Sequence, residues 1–184
     1  MQNNSLIKIC ISPRFLVSVA VLILLVPLNW LIAWFLAAAF HEIFHCIALL
    51  ICGHAIDSLH LDINGAKIQT ASLTNVETIV CALSGPIGGL LLLSFSQQYP
   101  QLALCALIQS SYNLLPIYPL DGGRAFLAVL NLLFPKNIAT TIFKIAELSV
   151  YILLFLLSFF FARLLKTLFP LLIPGLLFLK HRGK

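Results

Sequence analysis

The feature that most constrains this chain is a run of almost unbroken apolar sequence from Phe15 to Ile51. At about 1.5 Å per residue, one helix of that length would reach about 55 Å, whereas the hydrocarbon layer of a membrane is about 30 Å thick. The run therefore has to turn back on itself. The turn chemistry within it is Pro27-Leu28-Asn29-Trp30, and tryptophan suits a membrane interface. We predict two spans, at about 15–28 and 30–52.

The composition indicates that lipid is the main solvent of the chain. Hydrophobic residues make up 61% of the 184 positions and charged residues only 9%, and the mean hydropathy is +1.05. A soluble domain carries about 25% charged residues. Backbone inside a bilayer must satisfy its own hydrogen bonds, which leaves helices or a closed barrel. Long apolar runs favour helices, because a barrel would show short segments of alternating polarity.

Further apolar runs complete the expected architecture. They predict spans at Val76–Phe95, from Leu102 to about Tyr118, and at Ile138–Phe161. The segment 164–179 is a candidate sixth span, although two prolines interrupt it. We expect an all-α polytopic membrane protein with five or six transmembrane helices, in a single domain over residues 1–184.

One polar segment lies between the second and third spans. In it Leu59, Leu61 and Ile63 alternate with polar residues ahead of Asn64-Gly65. Alternating polarity followed by an Asn-Gly pair is the signal of two short strands joined by a tight turn. We therefore expect a small β-hairpin here rather than a span.

The net charge of +5 has a simple explanation in a membrane protein. The basic residues are scattered or lie at the ends of apolar runs, as in the cytoplasmic loops of membrane proteins. This pattern predicts no nucleic-acid partner. An even number of spans would put both termini on the more basic side, which the positive-inside rule makes cytosolic.

The strongest chemical signal is His41-Glu42-Ile43-Phe44-His45. Residues four apart lie on one face of a helix, so both imidazoles can bind one metal ion, and Glu42 beside them can take a proton from water. The alternative is a set of buried polar residues that bond neighbouring helices. Ionisable groups inside a span are costly and mark function, and we predict a zinc site with His41 and His45 as ligands and Glu42 as the base.

Catalytic zinc usually has three protein ligands, and Asp121 is a candidate for the third. It follows Pro116 and Pro119 and precedes Gly122-Gly123, which permit a tight turn. A carboxylate held there can reach a neighbouring helix. It can equally cap a helix over Gly122–Leu133, and from the residues alone both roles stay open.

The other acids and histidines have simpler expected roles. Glu77 opens the third span, and Glu147 lies one turn from Lys144, with which we expect it to pair. Asp57 and Asp62 lie in the polar hairpin. His54 and His60 are expected to be solvated loop residues, and the alternative is that they tune a substrate site at the hairpin.

At this point the residues resemble a known family. His-Glu-Ile-Phe-His within a span, followed by Asn-Leu-Leu-Pro-Ile-Tyr-Pro-Leu-Asp-Gly-Gly over residues 113–123, resembles the site-2 protease family of intramembrane zinc metalloproteases. In that family the second motif reads N-x-x-P-x-x-x-L-D-G. Gly85-Pro86 resembles a third element of the family. The resemblance covers about residues 30–125, which correspond to the three-helix catalytic core.

The resemblance implies a site and an activity. His41, His45 and Asp121 would bind one Zn²⁺ per chain, with Glu42 as the catalytic base. Asn113 would hold substrate or stabilise the transition state, or it would only bond a neighbouring helix. The activity would be that of a zinc metalloendopeptidase acting within or next to transmembrane segments of membrane-tethered protein substrates. The hairpin would be the membrane-associated β segment of the family, which offers an edge to an extended substrate.

The helix order most resembles the sporulation-factor-processing subgroup, which cleaves a membrane-tethered transcription-factor precursor by regulated intramembrane proteolysis. This implies an integral protein of a bacterial cell membrane. The sequence holds no counterpart of the C-terminal CBS domain usual in that subgroup. A membrane regulatory partner or a homo-oligomer is left open. Two other classes also remain: a metal-binding or transport membrane protein, and a catalytically inert membrane scaffold.

Overall fold

The computed structural model describes residues 8–56, 58–62 and 65–166, most of which are helical. The chain divides into two compact units, Met1–Asn113 and Leu114–Lys184. The expectation of a single domain stays a prediction.

Three helices of the described part are long and apolar enough to cross a membrane: Leu28–Ile51, Asn75–Phe95 and Lys136–Leu165. They agree with an integral membrane protein built from helices. The candidate sixth span at 164–179 lies, apart from its first residues, outside the described residues. The number of spans therefore stays a prediction.

The first unit begins with strand β1 (Lys8–Ile11), helix α1 (Pro13–Leu25) and helix α2 (Leu28–Ile51). Ser12 caps α1, because its hydroxyl accepts a hydrogen bond from the Phe15 N–H at 3.2 Å. Pro27 is the N-cap of α2. The long apolar run is thus divided at the predicted point, into a short helix and one of full membrane length.

Helices α2, α3 (Asn75–Leu91) and α4 (Pro100–Asn113) pack against one another, and a 3₁₀ turn over Leu92–Phe95 extends α3. Small residues dominate one cluster of this core, which allows helix backbones to approach closely in lipid. The buried members of that cluster are Ala33, Ala37, Leu92, Cys105 and Ala106. This packing places the face of α2 that carries His41 against α3.

The start of α3 is fixed by side chains. The Thr74 hydroxyl accepts from the Glu77 N–H at 3.3 Å, and the Glu77 carboxylate accepts from the Thr74 N–H at 2.8 Å. This is a capping box, which satisfies two backbone donors at the helix end. The His54 Nε2 lies 3.2 Å from a Glu77 carboxylate oxygen. Glu77 and His54 therefore form a structural link between the end of α2 and the start of α3.

The polar segment forms part of a three-stranded sheet in the order β1-β2-β3. Strands β2 (Ser58–Asp62) and β3 (Gly65–Gln69) pair antiparallel, whereas β1 pairs parallel with β2. The turn residue Asn64 lies outside the described residues, and the association of these strands with a membrane stays a prediction. Sequence reading missed β1, because its partner strand lies far along the chain.

The second unit contains a loop over residues 114–120, helix α5 (Asp121–Leu133) and helix α6 (Lys136–Leu165). Helices α5 and α6 pack through a cluster of Leu130, Ala139 and Phe143. The helix of the predicted fourth span, α4, ends at Asn113, and residues 114–120 form a loop; the extent of the span in a membrane stays a prediction. The helix ends because of the pair of prolines in the loop, which have no backbone N–H to continue it.

Candidate metal centre

His41 and His45 meet on one face of α2. Their Nε2 atoms are 3.1 Å apart, and the rings lie edge to face with centroids 4.7 Å apart. His41 is buried and His45 half-buried. In a tetrahedral zinc site with Zn–N distances of about 2.0–2.1 Å, two ligand nitrogens lie about 3.3 Å apart. The spacing of the two imidazoles therefore fits a shared zinc ion.

The orientation of His45 is set from α3. Its Nδ1 lies 2.6 Å from the Cys81 backbone oxygen. A carbonyl oxygen can only accept, so Nδ1 carries the proton and donates it. The Nε2 lone pair is then available to a metal, which is the usual arrangement of a metal-binding histidine. The Ser84 hydroxyl also donates to the Cys81 oxygen, at 2.7 Å, and lies 3.4 Å from His45 Nδ1.

The absence of a side chain at Gly85 makes room for both imidazoles. A Cβ at this position would lie 2.2 Å from His45 Nε2 and 2.8 Å from His41 Nε2. The backbone of α3 thus forms a wall directly beside the two nitrogens that face the metal position. In the sequence, Gly85 stands out through its family resemblance and through the G-x-x-x-G pair with Gly89, which allows helices to approach closely. Its physical role, like those of Cys81 and Ser84, follows from helix packing.

Glu42 and Asn113 lie near the histidines in the first unit. Glu42 is half-buried and adjacent to His41 on α2. Asn113 is the last residue of α4, and its side-chain nitrogen lies 3.5 Å from His41 Nε2. One turn earlier on α4, the Gln109 amide donates to the Trp34 backbone oxygen at 2.9 Å. This bond ties α4 to α2 and thereby places Asn113 at the site.

Asp121 belongs to the second unit, where it is the first residue of α5. The N-cap of this helix is Leu120, with no side-chain capping bond. Leu120 has no polar side chain, so a capping role for the Asp121 carboxylate in the first turn of α5 stays open. The Asp121 side chain is buried, with 9% exposure. A carboxylate is favoured there by the positive end of the helix, and its role as a zinc ligand stays a prediction.

The loop before Asp121 is held tightly against the start of α5. A Cβ at Gly122 would lie 2.0 Å from the Leu114 backbone oxygen, and one at Gly123 would lie 2.4 Å from the Ile117 backbone. The Tyr118 N–H donates to the Glu147 carboxylate at 2.9 Å. Glu147, which was expected to pair with Lys144, is thus a buried acid directed at this loop.

Comparison with known proteins finds similarity among solved structures. No protein-family model matches the sequence, and no curated protein does. Among solved structures, the fold is similar to that of the "Site-2 Protease from Methanocaldococcus jannaschii", with a TM-score of 0.65 and 21% sequence identity. The match covers 97% of this chain and 92% of the other. The chain has the fold of that structure. At this identity the likeness establishes the fold, and activity has to be argued from the residues.

Proposed function

We propose that this chain is an intramembrane zinc metalloprotease, which hydrolyses peptide bonds within or next to transmembrane segments of membrane-tethered proteins. The observation that carries the proposal is the pair of imidazoles on α2, whose Nε2 atoms are 3.1 Å apart. The bond from His45 Nδ1 to the Cys81 oxygen leaves the metal-facing nitrogen of His45 unprotonated. The similarity of the fold to a solved site-2 protease supports the same activity.

Asp121 completes the proposed ligand set of one Zn²⁺ per chain. Two observations support it: the residues from Asn113 to Gly122 match the second motif of the site-2 protease family, and the Asp121 side chain is buried at the start of α5. Two histidines and one carboxylate are a common ligand set of catalytic zinc. Bound zinc supplies a Lewis acid that polarises a carbonyl and makes water more acidic.

Glu42 and Asn113 carry the remaining steps of the proposed reaction. Glu42 accepts the proton of the attacking water and later delivers it to the leaving amine. The Asn113 amide, beside His41, donates to the oxygen of the scissile carbonyl as negative charge develops there. Glu42 lies on α2 and Asn113 at the end of α4, and these two helices pack against each other. Helix packing rather than a loop therefore fixes both positions.

The substrate would be bound in an extended form, because a helix offers no free backbone groups to a protease. In the described sheet, β3 has the outer position next to β2. An unwound substrate segment can add to such an edge as a further strand. We propose regulated intramembrane proteolysis of a transcription-factor precursor, as in sporulation, in a bacterial cell membrane. The partners would be the substrate, the lipid bilayer and a membrane regulator or second copy of the chain.

The two alternative classes have less support. A metal transporter needs polar ligands repeated along a path through the bilayer. In the described part of α2, the ionisable side chains are concentrated at one level, at His41, Glu42 and His45. A catalytically inert scaffold would not need a base, yet Glu42 is present between the two ligands.

The test replaces the proposed base without disturbing the ligands. Glu42→Gln is expected to abolish cleavage of a panel of tagged single-span membrane proteins in proteoliposomes, while the zinc content stays near that of the wild type. The reason is that Gln keeps the shape of the side chain but cannot accept a proton. Cleavage is followed by gel shift of the tagged reporters, and zinc by elemental analysis.

A matched control is Glu77→Gln, the same chemical change on a residue that caps α3 and contacts His54, outside the histidine pair. Gln also serves in a capping box, so cleavage is expected to be unchanged. Retained cleavage in Glu42→Gln would overturn the mechanism. If the wild type binds zinc but cleaves no reporter, the scaffold is favoured. If zinc crosses the vesicle membrane, the transporter is favoured.

A further inference from the structure

A buried acid on α6 has no part in the proposed reaction. Glu147 is 6% exposed and lies in a helix long and apolar enough to cross a membrane. An ionisable group buried in such a helix is costly, and its presence there indicates a function with a specific partner. The partner visible here is the Tyr118 N–H, at 2.9 Å from a carboxylate oxygen.

Tyr118 lies in the middle of the loop that leads into Asp121. Two short turns shape this loop, with Ile117 N–H donating to the Leu115 oxygen at 2.8 Å and Leu120 N–H to the Ile117 oxygen at 2.9 Å. Pro116 and Pro119, on either side of this centre, have no N–H to donate. Between them, the Tyr118 N–H donates to the Glu147 carboxylate.

The loop has little freedom to adjust elsewhere. A Cβ at Gly122 would meet the backbone of Leu114 at the start of the loop, and one at Gly123 would meet the backbone of Ile117 and Tyr118 at its centre. The Glu147 bond is therefore a contact from α6 to the centre of a loop that also packs closely against α5. The direction of the Asp121 side chain depends on the path of this loop.

We propose that Glu147 is a positioning residue, which holds the loop 114–120 and thereby orients the carboxylate of Asp121 for metal binding. The inference rests on the proposed function, since it takes Asp121 as a zinc ligand. What matters is an acceptor oxygen that reaches the Tyr118 N–H. The alternatives are a role of the negative charge of Glu147 and a pairing of Glu147 with Lys144.

Substitutions that change the length and the charge of the side chain separately can distinguish these roles. Glu147→Gln keeps an acceptor oxygen at the same distance, Glu147→Asp keeps the charge but is one methylene shorter, and Glu147→Leu keeps only the bulk. Ser149→Ala is a matched control, because Ser149 is exposed on the same helix and bonds only to it. Two quantities are measured on the full chain in detergent: hydrogen exchange of peptides from residues 114–120, and the dissociation constant of Zn²⁺.

Glu147→Gln and Ser149→Ala are expected to match the wild type in both measurements. Glu147→Asp and Glu147→Leu are expected to exchange faster in the loop and to bind Zn²⁺ about tenfold more weakly or worse, as is typical for loss of a residue that orients a ligand. The visible absorption of a Co²⁺-substituted protein should change in the same two variants. A role in helix packing alone would lower the folded fraction without altering the Co²⁺ spectrum of the folded protein.

Three outcomes would overturn the inference. One is unchanged loop exchange in Glu147→Leu and Glu147→Asp. Another is that Glu147→Asp behaves as the wild type and Glu147→Gln does not, because the charge of the side chain would then matter rather than its reach. The third is unchanged Zn²⁺ binding in both Asp and Leu variants. If Glu147→Leu does not fold, the comparison of Glu147→Gln with Glu147→Asp still decides between the reach and the charge of the side chain.

Asp121→Asn tells a failure of this inference from a failure of the proposed function. If Asp121→Asn loses Zn²⁺ while the Glu147 variants keep it, Asp121 is supported as a ligand and the positioning role of Glu147 is wrong. If Asp121→Asn binds Zn²⁺ as the wild type does, the ligand assignment itself is wrong, and the positioning role falls with it.

Discussion

At the scale of single residues, Gly85 shows that the candidate metal centre depends on a missing side chain as much as on the two histidines. The two histidines can be read from the sequence, because their spacing puts them on one helix face. Nothing local in the sequence says that α3 passes within van der Waals distance of their Nε2 atoms. The geometry of the site is therefore a property of packing between helices, with Gly85 at the point of closest approach.

Gly85→Ala is expected to weaken zinc binding by at least about tenfold, a loss typical of residues that hold a ligand in place. The added Cβ would lie 2.2 Å from His45 Nε2, so one or both imidazoles must turn away from the shared position. The measurement is a Zn²⁺ titration of the purified protein with a competing chelator.

Two neighbouring substitutions serve as controls for this prediction. Ile87→Ala changes an exposed residue of α3 and should leave Zn²⁺ binding unaltered. Gly88→Ala would place a Cβ 2.3 Å from the Phe44 ring, so it should lower stability more than it lowers zinc affinity. Wild-type zinc affinity in Gly85→Ala would show that the histidines do not share a metal at this position.

At the scale of elements, the sequence was most informative where a helix starts. Pro27 and Thr74 both stand immediately before helices that begin as expected. The C-terminal ends of helices were harder to predict from the sequence. The apolar run after Leu102 continues past Asn113, yet the helix stops there, because two prolines in the following loop deprive it of backbone donors.

Thr74→Ala is expected to lower the free energy of unfolding by about 1 kcal/mol, the usual cost of removing an N-cap hydroxyl. The lost contacts are the bonds between Thr74 and Glu77 at the start of α3. The measurement is denaturant unfolding in detergent. Thr74→Ser keeps the hydroxyl and should restore most of the stability. Equal stability of the Ala and wild-type proteins would mean that packing alone fixes this helix start.

At the scale of the whole molecule, one contact bears on the arrangement in the membrane. The Asn29 amide donates to the Gln101 side-chain oxygen at 3.3 Å. The turn between α1 and α2 therefore lies at the same end of the first unit as the start of α4. The sheet and the His54–Glu77 link belong to the ends of α2 and α3 that face the other way. Termini in the cytosol would put the sheet on the cytosolic side and the Asn29 end outside.

This arrangement predicts different labelling from the two sides of the membrane. In a variant without its native cysteines, Gln98→Cys is expected to react with a membrane-impermeant maleimide added outside intact cells. Ser72→Cys, which is equally exposed in the structure, should react only after the cells are opened. The readout is the mass shift of the labelled protein. The opposite pattern would reverse the proposed orientation, and labelling of both positions from outside would contradict a membrane-spanning α3.

The sequence by itself predicts that lipid is the main solvent, that the chain is helical, that the long apolar run breaks at Pro27, and that His41 and His45 share one helix face. These follow from local composition and from the period of a helix, which neighbouring residues set. Only the tertiary structure decided the tautomer of His45, the role of Gly85, the parallel strand β1 and the contact of Glu147 with the loop. Each of these joins residues far apart in the chain, and no local rule specifies which distant backbone will lie against a given side chain.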